Sequence, residues 1–180
     1  EYDFSEAYTP IYNNDDTNIL AELNLMPQSY VVVHPGMRGS ALNWPPECYI
    51  EFIKQLEKDQ TIVITGTDSD WPYIEPLFQE FNQQPHFKWL NGKLSADELI
   101  AVLQNAKVVM APSTGVIHLA ASSGVPCVGI YPPIKVQSKK RWGAIGPKAI
   151  NLEAEENKNL KNPMSGLSPQ LVYNSVKQYL

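Results

Sequence analysis

Three short polar stretches stand where apolar runs give way to helical patterns, and their residue types suit the binding of an anion. In APSTGVIHLAASSGVPCVGIY (111–131), Ser113, Thr114 and Gly115 form a corner, and His118 follows one helical turn later. A helix that starts at such a corner offers unpaired backbone N–H groups and the positive end of its dipole. Thr114 and His118 are four residues apart, so both lie on one face near that end. An imidazole so placed either donates to a phosphate oxygen or packs as a satisfied core residue among Ala120, Ala121, Ser122 and Ser123. The second stretch is HPGMRGSALNWPP (34–46), with Gly36 and Gly39 for a tight turn, Arg38 and Ser40 for charge and hydroxyl, and Pro45 or Pro46 to begin a helix. It has the make-up of an anion cradle, or of a solvated turn carrying a surface arginine, and it matches neither a Walker loop nor GxGxxG. The third is TGTDSDW (65–71), in which Asp68 or Asp70 either caps the next helix or reaches a ribose hydroxyl.

These corners require a scaffold that brings them to one edge. YVVVH (30–34), TIVIT (61–65), HFKWL (86–90), KVVMA (107–111) and PCVGIY (126–131) read as buried strands. Between them run helical patterns over 46–58, 71–82 and 114–123, and one opened by the capping box Ser95-Ala-Asp-Glu98. Apolar strands alternating with amphipathic helices imply α/β architecture: a doubly wound, Rossmann-like parallel sheet with right-handed crossovers. In such sheets ligands bind beyond the carboxyl ends of the strands, where all three corners fall. Residues 1–29 are acidic and irregular, with a short helical pattern over 16–25, and read as a linker or arm. Residues 30–152 read as the doubly wound unit that carries the three corners. From 153 to 180 a loop and a last helix (169–180) are expected to pack on it, and the stretch after Pro132 reads as a basic, glycine-containing loop.

The chain has 180 residues, of which 43% are hydrophobic and 18% charged, enough for one sizeable core. A net charge of −5 argues against nucleic acid as a partner. No apolar run approaches the ~20 residues of a membrane-spanning helix. Cys48 and Cys127 lack metal-ligand spacing and suit a reducing, cytoplasmic setting.

Over roughly residues 30–150 the ordered series HPG…GSALNWPPECYIEFI, VITGTDSD and LNGKLSADELIAVLQNAKVVMAPSTGVIHLAASSGVPCVGIYPP resembles the heptosyltransferases of glycosyltransferase family 9, and specifically their carboxyl-terminal half. The resemblance implies the second Rossmann-like domain of a GT-B enzyme, which binds a nucleotide-sugar donor such as ADP-heptose as substrate. It assigns Met37, Arg38, Gly39 and Ser40, with Thr114, Gly115 and His118, to the donor diphosphate. Asp70 and Leu94 go to the nucleoside, and position 113 to the donor sugar. The family usually has Asp at that position, where this chain has Ser113, and often has a basic residue where it has Leu42. Both differences remove charge, so the donor sugar need not be a heptose. Lys135, Lys139, Lys140 or Arg141 could supply a cation from the late loop.

The implied reaction is an inverting displacement at the anomeric carbon, with no metal and no other cofactor. The general base and the site for a glycolipid or glycan acceptor are expected in an amino-terminal domain outside this chain. Work on lipopolysaccharide or another cell-surface glycan implies a cytoplasmic protein, with peripheral association at the inner membrane face left open. Two other readings stand beside this one. The first is another GT-B sugar-nucleotide enzyme, such as a UDP-sugar transferase or epimerase; the second is a non-catalytic nucleotide-binding module.

Overall fold

The structure, a computed structural model, describes residues 18–37, 39, 42–56 and 60–180. Arg38 and Ser40 therefore lie outside the described residues. Six strands form one sheet: β1 (Tyr30–Val33), β2 (Thr61–Ile64), β3 (Phe87–Trp89), β4 (Val108–Pro112), β5 (Cys127–Tyr131) and β6 (Ala149–Glu153). Every pairing is parallel, and the spatial order is β3-β2-β1-β4-β5-β6.

The central strand shows why the sequence folds this way. In β1 all four side chains are fully buried, because a parallel sheet is covered on both faces. Val31 and Val33 point into one core, with Phe52, Ile53, Ile74, Leu77, Val172 and Val176 from the helices α2 (Pro46–Gln55), α3 (Trp71–Phe81) and α7 (Pro169–Lys177). Tyr30 and Val32 point into the other, with Ala101, Val102, Leu103, Ile117 and Ala120 from α4 (Ala96–Gln104) and α5 (Gly115–Ser122). The period-2 alternation of one strand thus feeds two separate cores. The capping box ahead of α4 forms as its spacing predicts: Glu98 N donates to Ser95 Oγ (3.3 Å) and Ser95 N donates to Glu98 Oε2 (2.7 Å). Hydrogen bonds to its carboxylate from the Ser95 backbone N–H and then the Ser95 hydroxyl hold the Glu98 carboxyl below its usual range. Both cysteines are free; burial pushes the Cys127 thiol up to about 12.

Two parts of the chain differ from the sequence reading. Residues 18–29, read as linker or arm, are fastened to the domain. Helix α1 (Asn18–Glu22) buries Ile19 and Leu20 in the second core with Leu25, and Gln28 N donates to Asn105 O (2.8 Å). The stretch after Pro132 is also more than a loop. It carries a four-residue helix, α6 (Lys139–Trp142), and then the edge strand β6, whose five side chains are all half-buried.

Candidate functional site

The strand order reverses direction between β1 and β4: from β1 the chain steps outward to β2 and β3, then returns to start again at β4. At such a switch point the flanking loops part and leave a crevice beyond the carboxyl ends of the strands. Two adjoining hollows occupy it here.

The first encloses about 400 Å³ and is lined by residues that follow four successive strands. His34 and Met37 come from the first loop, Thr65, Gly66, Thr67 and Asp70 from the second, Leu90, Leu94 and Leu99 from the third, and Thr114, Gly115, Val116 and Leu119 from the fourth. Its walls pair one leucine-rich side with one polar side. The polar side is organised by Asp70, which is 1% exposed. Its Oδ1 accepts from Met37 N (3.1 Å), and its Oδ2 accepts from Thr67 N (2.9 Å) and Thr67 Oγ1 (2.7 Å). One carboxylate therefore clamps the first loop to the second while closing a capping box over the short 3-10 turn Asp68–Asp70. Gly36 is required at this clamp, because a Cβ there would collide with the Asp70 carboxyl group. Beside it, His34 Nδ1 and Thr65 Oγ1 share a hydrogen bond of 2.9 Å.

The first loop is fixed from behind as well. Asn43 Nδ2 donates to Pro35 O (2.6 Å), while Asn43 Oδ1 accepts from Trp44 N (2.8 Å) and Tyr49 Oη (2.9 Å). Between these anchors Gly39 turns through the left-handed region, with φ +72° and open space around its Cα.

The second hollow, of about 420 Å³, is lined by Ser113, Thr114, Gly115, His118, Val136, Gln137 and Trp142. Thr114 and Gly115 belong to both hollows, so the amino end of α5 stands at their junction. That end carries no side-chain cap: Thr114 occupies the N-cap position without bonding the helix, and its Oγ1 is buried with no hydrogen-bond partner among the described residues. The first backbone N–H groups of α5 and one hydroxyl thus converge on the junction with nothing in the helix to satisfy them, which is the make-up of an anion site. His118, one turn along, is half-buried, and desolvation lowers its pKa below the usual 6.5.

The site therefore gathers Met37, Asp70, Leu94, Thr114 and Gly115 around the first hollow, and Ser113, Thr114, Gly115 and His118 around the second. Asp70 lines the first hollow with both carboxylate oxygens engaged by the two loops. The late-loop cations lie elsewhere. Lys135, Lys140 and Arg141 line a neighbouring depression, and the backbone of Lys139 is held by Glu153 Oε2 (2.8 Å). The late loop instead contributes Val136, Gln137 and Trp142. Sequence reading had no signal for these three, because only the tertiary fold brings 136–142 against 113–118. His34 and Thr65 were legible as strand ends but not as partners.

Comparison with known proteins gives the family and the fold. The profile of glycosyltransferase family 9 (heptosyltransferase) matches residues 3–166. The chain is 28% identical over 103 residues to lipopolysaccharide heptosyltransferase 2 of Escherichia coli (strain K12), a match that covers 55% of this chain and 30% of that protein. Among solved structures, the E. coli ADP-heptose lps heptosyltransferase II superposes with a TM-score of 0.79 at 20% identity, over 96% of this chain and 53% of that one. E. coli heptosyltransferase WaaC with ADP superposes with a TM-score of 0.72 at 21% identity, over 98% of this chain and 53% of that one. The chain thus spans about half the length of these solved relatives, and the likeness in structure is one of fold.

Proposed function

The chain belongs to glycosyltransferase family 9, the heptosyltransferase family, and on that premise we propose that it is the donor-binding half of an inverting GT-B glycosyltransferase. The observation that carries this reading is the uncapped amino end of α5 at the junction of two hollows, with the buried Thr114 hydroxyl left without a partner. A nucleotide-sugar has a matching order of parts. Its nucleoside lies in the first hollow, with the base against Leu90, Leu94 and Leu99. Its diphosphate rests on the α5 amides, Thr114 and His118, and its sugar enters the second hollow beside Ser113. The family resemblance assigns Met37, Arg38, Gly39 and Ser40 of the first loop to the diphosphate as well. ADP is the favoured nucleotide, since a solved relative is described with ADP.

In the reaction the acceptor hydroxyl oxygen attacks the anomeric carbon, and the bond from that carbon to the β-phosphate oxygen breaks. The electron pair stays on the diphosphate, and the acceptor proton passes to a base on the amino-terminal half of the enzyme. This chain assists departure: amides and hydroxyls fixed in advance stabilise the growing negative charge, and each such donor is worth ~3 kcal/mol of barrier. No metal enters this scheme. The acceptor is a lipopolysaccharide-like glycolipid presented at the cytoplasmic face of a membrane. Among the described residues no helix is long and apolar enough to cross one.

The test is thermal unfolding with ADP, UDP and GDP, each with and without its sugar. A ligand at a hundred times its Kd adds ~2.7 kcal/mol of stability. ADP and ADP-sugars should raise the midpoint most, and a panel in which no nucleotide moves it would refute the proposal.

A further inference from the structure

The second hollow has a wall that the reaction scheme leaves without a role. Trp142 is 48% exposed, whereas Trp44 is buried at 1%. A large ring left in water forgoes the free energy of burial, yet this one has two partners. Its Nε1 donates to Val136 O (2.9 Å), and the Arg141 guanidinium carbon stands 5.5 Å from its ring centroid. Helix α6 beneath it is tied to β6 through Lys139 N and Glu153 Oε2 (2.8 Å). Next to the ring, Gln137 Oε1 accepts from Leu42 N (3.4 Å), which joins the late loop to the first loop. The Gln137 amide nitrogen has no partner among the described residues. Among the described residues the lining of this hollow includes no carboxylate, and Lys135, Lys140 and Arg141 line the adjacent depression instead. What it offers is one fixed aromatic wall, an amide, the Ser113 hydroxyl and the His118 imidazole.

A neutral pyranose has the complementary chemistry: one face rich in C–H bonds to lie on an indole, and a rim of hydroxyls for amide and hydroxyl partners. We propose that Trp142, with Gln137 beside it, is the specificity-determining platform on which this chain holds the sugar of its donor. The platform selects a neutral pyranose by stacking and neutral hydrogen bonds rather than by charge. This inference rests on the nucleotide-sugar reading of the site.

The two ideas separate when affinity for a nucleoside diphosphate is compared with affinity for its sugar conjugate, by calorimetric titration of the full-length enzyme. The probes are ADP with ADP-glucose and ADP-heptose, and UDP with UDP-glucose. Trp142→Ala should weaken the sugar conjugate about tenfold and leave the bare diphosphate unchanged. Trp142→Phe, which keeps a ring but not the N–H, should recover most of the loss. Equal affinities in Trp142→Ala and the parent protein would overturn the platform and leave the nucleotide site standing. So would an equal loss for diphosphate and conjugate, which would mark a purely structural role. Failure of the parent protein to bind any diphosphate would sink the nucleotide reading itself, and the platform with it.

Discussion

Gly115→Ala sets stability and binding against each other. Gly115 is the first residue of α5 and lines both hollows; a Cβ built on it meets nothing within 4 Å, and its φ lies outside the left-handed region. An added methyl therefore fits the folded chain and restricts the unfolded one, which should stabilise the protein by about 0.4–1 kcal/mol. For a chain of this size each kcal/mol moves the midpoint by about 2–4 °C, so the unliganded variant should melt roughly 1–4 °C higher. The same methyl projects into the space where a diphosphate would meet the helix amides, and a lost charge-assisted hydrogen bond is worth about 1.5–3 kcal/mol, tenfold or more in Kd. Nucleotide at a hundred times the parent Kd adds ~2.7 kcal/mol, or roughly 5–10 °C. After a tenfold loss the gain is ~1.4 kcal/mol, roughly 3–5 °C. The assay is one thermal-shift series on both proteins, with and without nucleotide. A higher unliganded midpoint with a smaller ligand shift cannot come from misfolding. An undiminished shift would refute the placement of the diphosphate on α5.

Other perturbations probe the remaining walls. Desolvation lowers the His118 pKa, so the unfolded chain takes up the proton more readily, and stability from this group, full above pH 6.5, falls as pH drops below it. A diphosphate beside the imidazole would raise that pKa again, so affinity should increase from pH 8 to pH 6. Titrations of His118→Ala should lack the His118 share of that slope, and coincident slopes would return the histidine to packing. Asp70→Asn presents an amide to donors now held by a carboxylate; it should cost about 2–3 kcal/mol and several degrees of midpoint. An Asp70→Asn melting curve unchanged from the parent would show that the clamp contributes nothing to stability.

How much was legible before folding depended on whether a feature is local. The β-branched runs of β1, β2 and β4 and the Ser95–Glu98 box announce themselves because burial on two faces and a reciprocal cap are written in adjacent residues. Edge strand β6 does not. Its sequence AINLE is short, half-buried throughout and preceded by a Gly-Pro stretch that mimics a loop. Residues 18–29 read as linker or arm because the stretch ahead of them is acidic and irregular, and Ile19, Leu20 and Leu25 find a core only where α4 receives them. The three corners were visible as motifs, and the parallel order brought them to one rim. Which residues would share a hollow was not visible. Thr67 and Asp70 have the spacing of a cap, yet the reach of Asp70 to Met37 spans 33 residues, and Gln137 meets Leu42 across 95.

Those last two contacts differ in kind, and the difference has an evolutionary reading. On the proposed assignment the nucleoside side is locked by the buried Asp70 carboxylate, which binds two backbone N–H groups and the Thr67 hydroxyl, so replacing Asp70 itself removes all three bonds at once. The sugar side rests on the Gln137–Leu42, Trp142–Val136 and Lys139–Glu153 contacts and on side chains that are largely exposed, so substitution at its exposed positions should disturb the fold less. If the donor reading holds, such a scaffold would keep its nucleotide handle while the sugar it holds changes, and those changes would begin at the exposed positions between Lys135 and Trp142.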